Sequence, residues 1–411
     1  MSKNKILQPK IRFKEFSGEN AEAWEQRKLG EIADGFDYGL NVAATEYDGE
    51  NKYIRITDID DVTRLFKTDN LTSPDADLSN AESYKLSEGD ILFARTGASV
   101  GKTYKYKGYD GCVYFAGFLI RAKVKPEYNT EFVFQNTLTN KYNKYIQVTS
   151  MRSGQPGVNA QEYQSFETLV PRLPEQDKIG SLFKCLDETL TLHQRKLETL
   201  ESLKKTLLSK MFPKNGKAVP ELRFAGFTDN WEQRKASELF KSISDKNHPN
   251  LPVLSASQEK GMILRDDIGI DIKYDHKSLS NYKRVTPGQF VIHLRSFQGG
   301  FADSQMEGIT SPAYTVIDFK EKDQSHSLFW KEILTSQSFI KRLETVTYGI
   351  RDGRSISFSD FSTLKFIVPK LDEQEKIAVL FKILNQTITL HQRKIEQYQE
   401  LKKTLLSKMF I

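Results

Sequence analysis

Two stretches of the chain carry apolar residues at alternating steps of three and four, which places them in one stripe along a helix and, when sustained, forms the seam of a coiled coil. In the first, the stripe runs through Ile179, Phe183, Leu186, Leu190, His193, Leu197, Leu200, Leu203, Leu207 and Met211. In the second it runs through Ile377, Phe381, Leu384, Ile388, His391, Ile395, Tyr398, Leu401, Leu405 and Met409. Each stripe predicts a helix of about 36 residues and roughly 50 Å at a rise of about 1.5 Å per residue. Pro174, Glu175 and Asp177 suit a first turn, and Asp372 with Glu375 has the spacing of a capping box. Lys204, Lys205 and Lys210 favour a C-terminal dipole end, and Pro213 stops the first helix. Two helices with such similar seams are expected to pair with each other, antiparallel.

The similarity extends well beyond the seams. Val170-Pro171, Glu175-Gln176, Lys178-Ile179 and Phe183-Lys184 recur 198 residues later as Val368-Pro369, Glu373-Gln374, Lys376-Ile377 and Phe381-Lys382. At the same offset, Leu192 to Lys196 maps onto Leu390 to Lys394, and Leu203 to Phe212 (LKKTLLSKMF) onto Leu401 to Phe410, letter for letter. A second repeated block opens each half: Arg12-Phe13, Phe16 and Trp24 to Lys28 reappear as Arg223-Phe224, Phe227 and Trp231 to Lys235. Between these shared blocks lie two stretches, roughly residues 29–169 and 236–367, that resemble one another only in scattered places. The expected fold is α+β: two α/β domains separated by two long antiparallel coiled-coil helices, with pseudo-two-fold internal repetition. The corresponding division is a first domain at 1–170, a helical spacer and linker at 171–222, a second domain at 223–368 and a second helical spacer at 369–411.

A chain of 411 residues, 38% hydrophobic and 28% charged, is long enough for two or three cores and is not of disordered composition. Its formal net charge of +6 is compatible with a polyanionic partner but does not require one. Cys112 and Cys185 stand apart from each other and from any Cys/His cluster, so neither a zinc site nor a disulfide framework is expected, and a reducing cytoplasm is the simpler setting. No apolar run approaches the ~20 residues of a membrane span, and no signal peptide is expected.

Gly97 to Thr103 (GASVGKT) looks like a phosphate loop but has three residues between its glycines where four are needed. No His-Glu-x-x-His pair or Asn-Pro-Pro-Tyr segment is present. His193 and His391, on matching seams, read better as polar register markers than as metal ligands. Trp24 and Trp231 read better as packing anchors than as base-stacking platforms.

Taken together, the element order, the repeat that begins near Pro-x-x-x-Glu-Gln-x-Lys-Ile, the strand-like Gly89 to Arg95 followed by Thr96-Gly97, and Ser153 to Val158 leading to Leu169-Val170-Pro171 resemble the specificity subunits of type I restriction enzymes. The resemblance covers essentially the whole chain. In the second half, Gly288 to Ser296 keeps the strand and an Arg-hydroxyl ending, but Gly353-Arg354-Ser355-Ile356 replaces the glycine–proline segment. The resemblance implies a DNA-recognition subunit without catalysis or cofactor of its own. It would read an asymmetric, two-part double-stranded DNA sequence and assemble with two modification (methyltransferase) and two restriction (translocase/nuclease) subunits, which would use S-adenosylmethionine, ATP and Mg²⁺. No membrane partner is implied. A coiled-coil scaffold with protein-binding heads is the alternative.

On this reading, the DNA-contacting loops of the first domain are Arg95 to Lys102 and Met151 to Asn159, where glycine permits close backbone approach and arginine can pair bidentately with guanine. The candidates there are Arg95, Thr96, Gly97, Lys102, Lys105, Arg152, Ser153 and Gln155, with Lys107 as a further phosphate contact. In the second domain they are Arg295, Ser296, Gln298, Tyr348, Arg351 and Arg354. The expected coiled-coil interface is Ile179, Phe183, Leu186, Leu190 and Leu197 against Ile377, Phe381, Leu384, Ile388 and Ile395. Arg95 and Arg295 equally suit structural ion pairs at strand ends, and the single lysines suit solvated surface.

Overall fold

The two seams form single uninterrupted helices, Leu173–Lys210 and Leu371–Met409, in a computed structural model that describes residues 8–18, 21–151, 156–214, 217–257, 260–268, 276–293, 300–343 and 357–411. The chain divides into two compact units, Met1–Lys196 with His391–Ile411, and Leu197–Leu390. Each unit therefore takes the N-terminal part of one long helix and the C-terminal part of the other.

In the first unit a four-stranded antiparallel sheet has the order Ala33–Tyr38, Leu119–Val124, Asp90–Ala94, Thr103–Lys105. The second unit builds Phe240–Ile243, Thr315–Phe319, Phe290–Ile292, Phe301–Asp303 in the same order. The duplication thus reaches into stretches whose sequences scarcely match, because strand order is set by alternating burial and turn placement rather than by particular side chains. Each unit is closed by a short clasp: Glu25–Lys28 pairs antiparallel with Glu167–Val170, and Glu232–Lys235 with Lys365–Val368, in the same register.

The Glu-Gln pair of the repeat has a physical role in both units. Glu175 is 2% exposed and takes two 2.7 Å hydrogen bonds from the Arg12 guanidinium, while Glu373 receives the same fork from Arg223 at 2.7 and 2.8 Å. Removing one partner of such a buried pair strands the other charge, at a cost of about 3–5 kcal/mol. Gln176 donates to Pro171 O and accepts from the backbone N–H of Asn129; Gln374 does the same with Pro369 O and His326. These contacts stitch helices Thr130–Asn136 and Ser327–Leu334 onto the long helices.

The repeated LKKTLLSKMF block is explained by where its phenylalanine goes. In the first unit Phe410 lies against Phe132 (ring centroids 5.2 Å apart) and Phe183 (5.6 Å). In the second, Phe212 meets Phe329 (5.6 Å) and Phe381 (6.1 Å). The C-terminal end of each long helix thus completes the core at the N-terminal end of the other, so both copies fill the same kind of seat. Trp24 and Trp231 are buried in the same places, Trp24 edge-on to Phe132 and Trp231 edge-on to Phe212 and Phe329.

Within the first unit, Phe183 meets Phe410, Asp187 meets Lys402, and His193 meets His391, so the helices run antiparallel. Ile179, Phe183, Leu186, Leu197, Ile377, Phe381, Leu384, Ile388 and Ile395 are buried, and Leu190 is half-buried. The expected seam is wrong at Leu203 and Leu401, which are 46% and 44% exposed. The stripe passes instead through Lys204 and Lys402, drawn inward by carboxylates at Glu332 and Asp187. The capping box expected at Asp372 is also not used. The Lys370 carbonyl accepts from the N–H groups of Glu373 and Gln374, so the helix begins at Leu371 and Asp372 falls within its first turn.

Candidate nucleic-acid interface

Strand Asp90–Ala94 is buried along its whole length and delivers the chain into the loop at Arg95. Two backbone hydrogen bonds close the loop at its base, Gly101 N–H to Ala94 O (2.9 Å) and Ala94 N–H to Lys102 O (2.8 Å). Buried Tyr163 donates to Ala94 O at 2.7 Å, and Tyr142 to Gly101 O at 3.2 Å. Burial raises both phenol pKa values, which keeps these hydroxyls neutral donors. Gly101 has φ +82°, and a Cβ there would lie 2.6 Å from Ile146 Cγ2, so glycine is what lets the loop cross helix Asn140–Ser150.

Two further segments dock on this loop. Arg95 N–H donates to Phe118 O (3.1 Å), Val158 N–H to Arg95 O (2.9 Å) and Gly97 N–H to Pro156 O (3.1 Å), and Thr96 bridges Gly157. The structure therefore unites the described ends of the two loops singled out in the first domain, and adds residues 116–118. The Arg95 guanidinium stacks 4.8 Å from the Tyr38 ring centroid. Tyr38 and Phe118 are 43% and 60% exposed. The result is a rim of backbone, one arginine and exposed apolar surface.

Arg95, Thr96 and Gly97 sit half-buried on this rim. Arg152, Ser153 and Gln155 lie outside the described residues. Two lysines proposed for DNA contact are instead engaged inside the unit. Lys102 is 7% exposed, donates to Ile59 O and pairs with Asp61, whose carboxyl pKa it lowers. Lys105 pairs with Glu131, and both side chains are largely covered. Both ammonium groups are thus taken up by carboxylates of their own unit. Lys107 lies over Tyr109, 5.6 Å from the ring centroid. Tyr38 and Phe118 carry no sequence signal: Phe118 sits in an apolar run that reads as continuous strand, and only tertiary contact brings either beside Arg95.

In the second unit Arg295, Ser296, Gln298, Tyr348, Arg351 and Arg354 all lie outside the described residues. The loop base is nonetheless closed by the same kind of bond, His293 N–H to Gly300 O at 3.2 Å. Counted from the left-handed glycines Gly89 and Gly288, Arg295 falls one position further along than Arg95.

Among the described residues, no three or more His, Cys, Asp or Glu side chains are grouped to hold a metal ion, and no helix is long and apolar enough to cross a membrane. The model of the type I restriction modification DNA specificity domain matches residues 21–202 and 228–400, two copies that span most of the chain. The chain belongs to this family. It is a specificity subunit with two DNA-recognition domains, each match running from the clasp into a long helix. Over 416 aligned residues it is 23% identical to the MjaX type I restriction enzyme specificity subunit of Methanocaldococcus jannaschii, covering 95% of this chain and 93% of that one. The MjaVIII specificity subunit of the same organism is 23% identical over 349 residues, covering 78% of each. The S subunit of a type I restriction-modification system from M. genitalium shares the fold, with a TM-score of 0.67 across 98% of this specificity subunit and 99% of that chain at 11% identity.

Proposed function

We propose that this specificity subunit reads an asymmetric two-part sequence in double-stranded DNA, one part per recognition domain, and positions two adenine-N6 modification subunits and two restriction subunits around it. Methyl transfer, ATP-driven translocation and cleavage, with S-adenosylmethionine, ATP and Mg²⁺, belong to those partners in the cytoplasm. The observation that carries this reading is the pairing of sameness and difference: two sheets of identical strand order on a duplicated mount, with loops of different sequence at corresponding strand ends. A symmetric site would need matching loops; unlike loops suit unlike half-sites.

In the first domain the rim formed by Arg95, Thr96, Gly97 and residues 156–158, flanked by Tyr38 and Phe118, is the proposed base-reading surface. Its arginine is suited to guanine, and its apolar rings to a thymine methyl. Arg152, Ser153 and Gln155 extend it, and Arg295, Ser296, Gln298, Tyr348, Arg351 and Arg354 are proposed for the second domain.

The test is to co-express the chain with the modification subunit of its own system and map N6-methyladenine across the host genome by single-molecule sequencing. A new two-part motif with a fixed gap supports the reading and delivers both half-sites. A stable complex with an active modification subunit that leaves no new methylation would overturn it in favour of a scaffold with protein-binding heads.

A further inference from the structure

The long helices repeat so closely that nothing obvious tells one recognition domain from the other as a cargo, yet two of the positions on which the domains rest differ. The first is 187 in one helix and 385 in the other, aspartate against asparagine. In the first unit Asp187 takes a 2.6 Å bond from Lys402 and a 2.8 Å bond from Gln135, which is fully buried. In the second unit Asn385 donates to Glu332 at 2.9 Å, and Lys204 stands 3.9 Å from the same carboxylate, which is 7% exposed. Lys204 and Lys402 are the same residue of the repeat. Gln135 and Glu332 are also equivalent: each lies six residues after the backbone N–H, of Asn129 or His326, that the repeat glutamine holds. Lysine, carboxylate and amide are therefore present at both sites, with carboxylate and amide exchanged between helix and head.

The second position is 180 against 378, glycine against alanine, one heptad earlier on the same helix face. A Cβ at Gly180 would lie 2.4 Å from Asn129 Oδ1, the oxygen that caps helix Thr130–Asn136 by accepting from Phe132 N–H. Ala378, 1% exposed, occupies that place in the second unit, where the chain carries His326 in place of Asn129.

We propose that these two positions form a matching code that assigns each recognition domain to its own seat on the duplicated frame. The reasoning is charge and volume conservation. The second domain on the first seat would bring Glu332 against Asp187 with one lysine between two carboxylates. The first domain on the second seat would leave Lys204 beside the amides of Gln135 and Asn385, with the Glu131 carboxylate bonded to Gln135 already held by Lys105, and would drive Asn129 into the Ala378 methyl. Half-buried charges tolerate neither excess nor absence of a partner. The glycine-to-alanine difference adds a steric barrier of the same sense.

The point test is a cycle in the second unit of the full chain, read by thermal unfolding without DNA, so that its outcome is independent of what the heads bind. Glu332→Gln leaves Lys204 without its carboxylate, and Asn385→Asp sets a second carboxylate beside Glu332; each is expected to lower the melting temperature by several degrees. The double variant recreates the Lys-Asp-Gln set of the first unit and is expected to melt above both single variants. A double variant whose loss equals the sum of the two single losses would overturn the proposal.

The second test exchanges residues 29–169 with 236–367. The exchanged protein is expected to melt below the parent and to regain most of the loss when Gly180→Ala, Ala378→Gly, Asp187→Asn and Asn385→Asp are added together. Melting equal to the parent before those four changes, or no gain after them, would refute the code.

Discussion

At Gly101 two constraints coincide, a left-handed backbone and a Cβ position already occupied by Ile146. Gly101→Ala is expected to cost roughly 2–3 kcal/mol, from about 1–2 kcal/mol of backbone strain and the overpacking that follows, and to weaken DNA binding because the Arg95 loop closes through this residue. Denaturant unfolding and titration with target DNA read the two effects; unchanged stability would mean that Ile146 yields freely. Arg95→Ala has the opposite signature. Its stacking on Tyr38 contributes only about 0.5–1 kcal/mol at a partly exposed site, so melting should barely move, while affinity for the mapped target falls by about 1–3 kcal/mol, roughly 5- to 150-fold. An equal fall on scrambled DNA would reassign Arg95 to phosphate, and no fall on either would remove it from the interface. The sequence pointed to Arg95 through its place after a strand and before a glycine. It gave no sign of the ion pairs of Lys102 and Lys105, because a lysine beside a loop reads as exposed until the carboxylates of Asp61 and Glu131, 41 and 26 residues away, are known to meet it.

The long helices were legible because their seams are sustained over many turns, and the clasp strands because they recur. What periodicity does not resolve is which of two adjacent residues turns inward. Leu203 and Leu401 keep the apolar step, yet Lys204 and Lys402 take the seam because acids from elsewhere in the fold meet them. His193 and His391, expected as register markers, do face each other, Nδ1 to Nδ1 at 2.8 Å. That contact needs one N–H and one lone pair, so it accommodates at most one added proton before two donors oppose. Burial, then His391, then Lys394 hold the His193 pKa below its ordinary value of about 6.5. The unfolded chain therefore binds the proton more readily than the folded one. The stabilisation is fully present above about pH 6.5 and is lost as pH falls through the lower folded value. Melting temperature should be level above about pH 7 and decline below about pH 6.5. His391→Asn should flatten that decline, and equal slopes in parent and variant would show that other groups carry the acid sensitivity.

Both long helices are shared between the two units, and on the proposed two-part reading their length is expected to set the gap between the DNA half-sites. One heptad inserted after His193 and another after His391 preserves the seam, since seven residues are close to two turns. It lengthens each helix by about 10 Å, about three base pairs, but three base pairs also turn one half-site about 100° around the duplex. Three heptads in each helix add about 31 Å, close to the 34–36 Å of a full turn, and so nearly restore the facing. The expected outcome is thus not a smooth shift. The one-heptad protein should bind every gap length poorly, and the three-heptad protein should prefer a gap about nine or ten base pairs longer than the parent's. Binding to a set of duplexes that differ only in gap length decides it. A three-heptad protein that keeps the parental gap would mean that the helices hold the chain together without measuring DNA, and that the spacing is imposed by the subunits assembled around it.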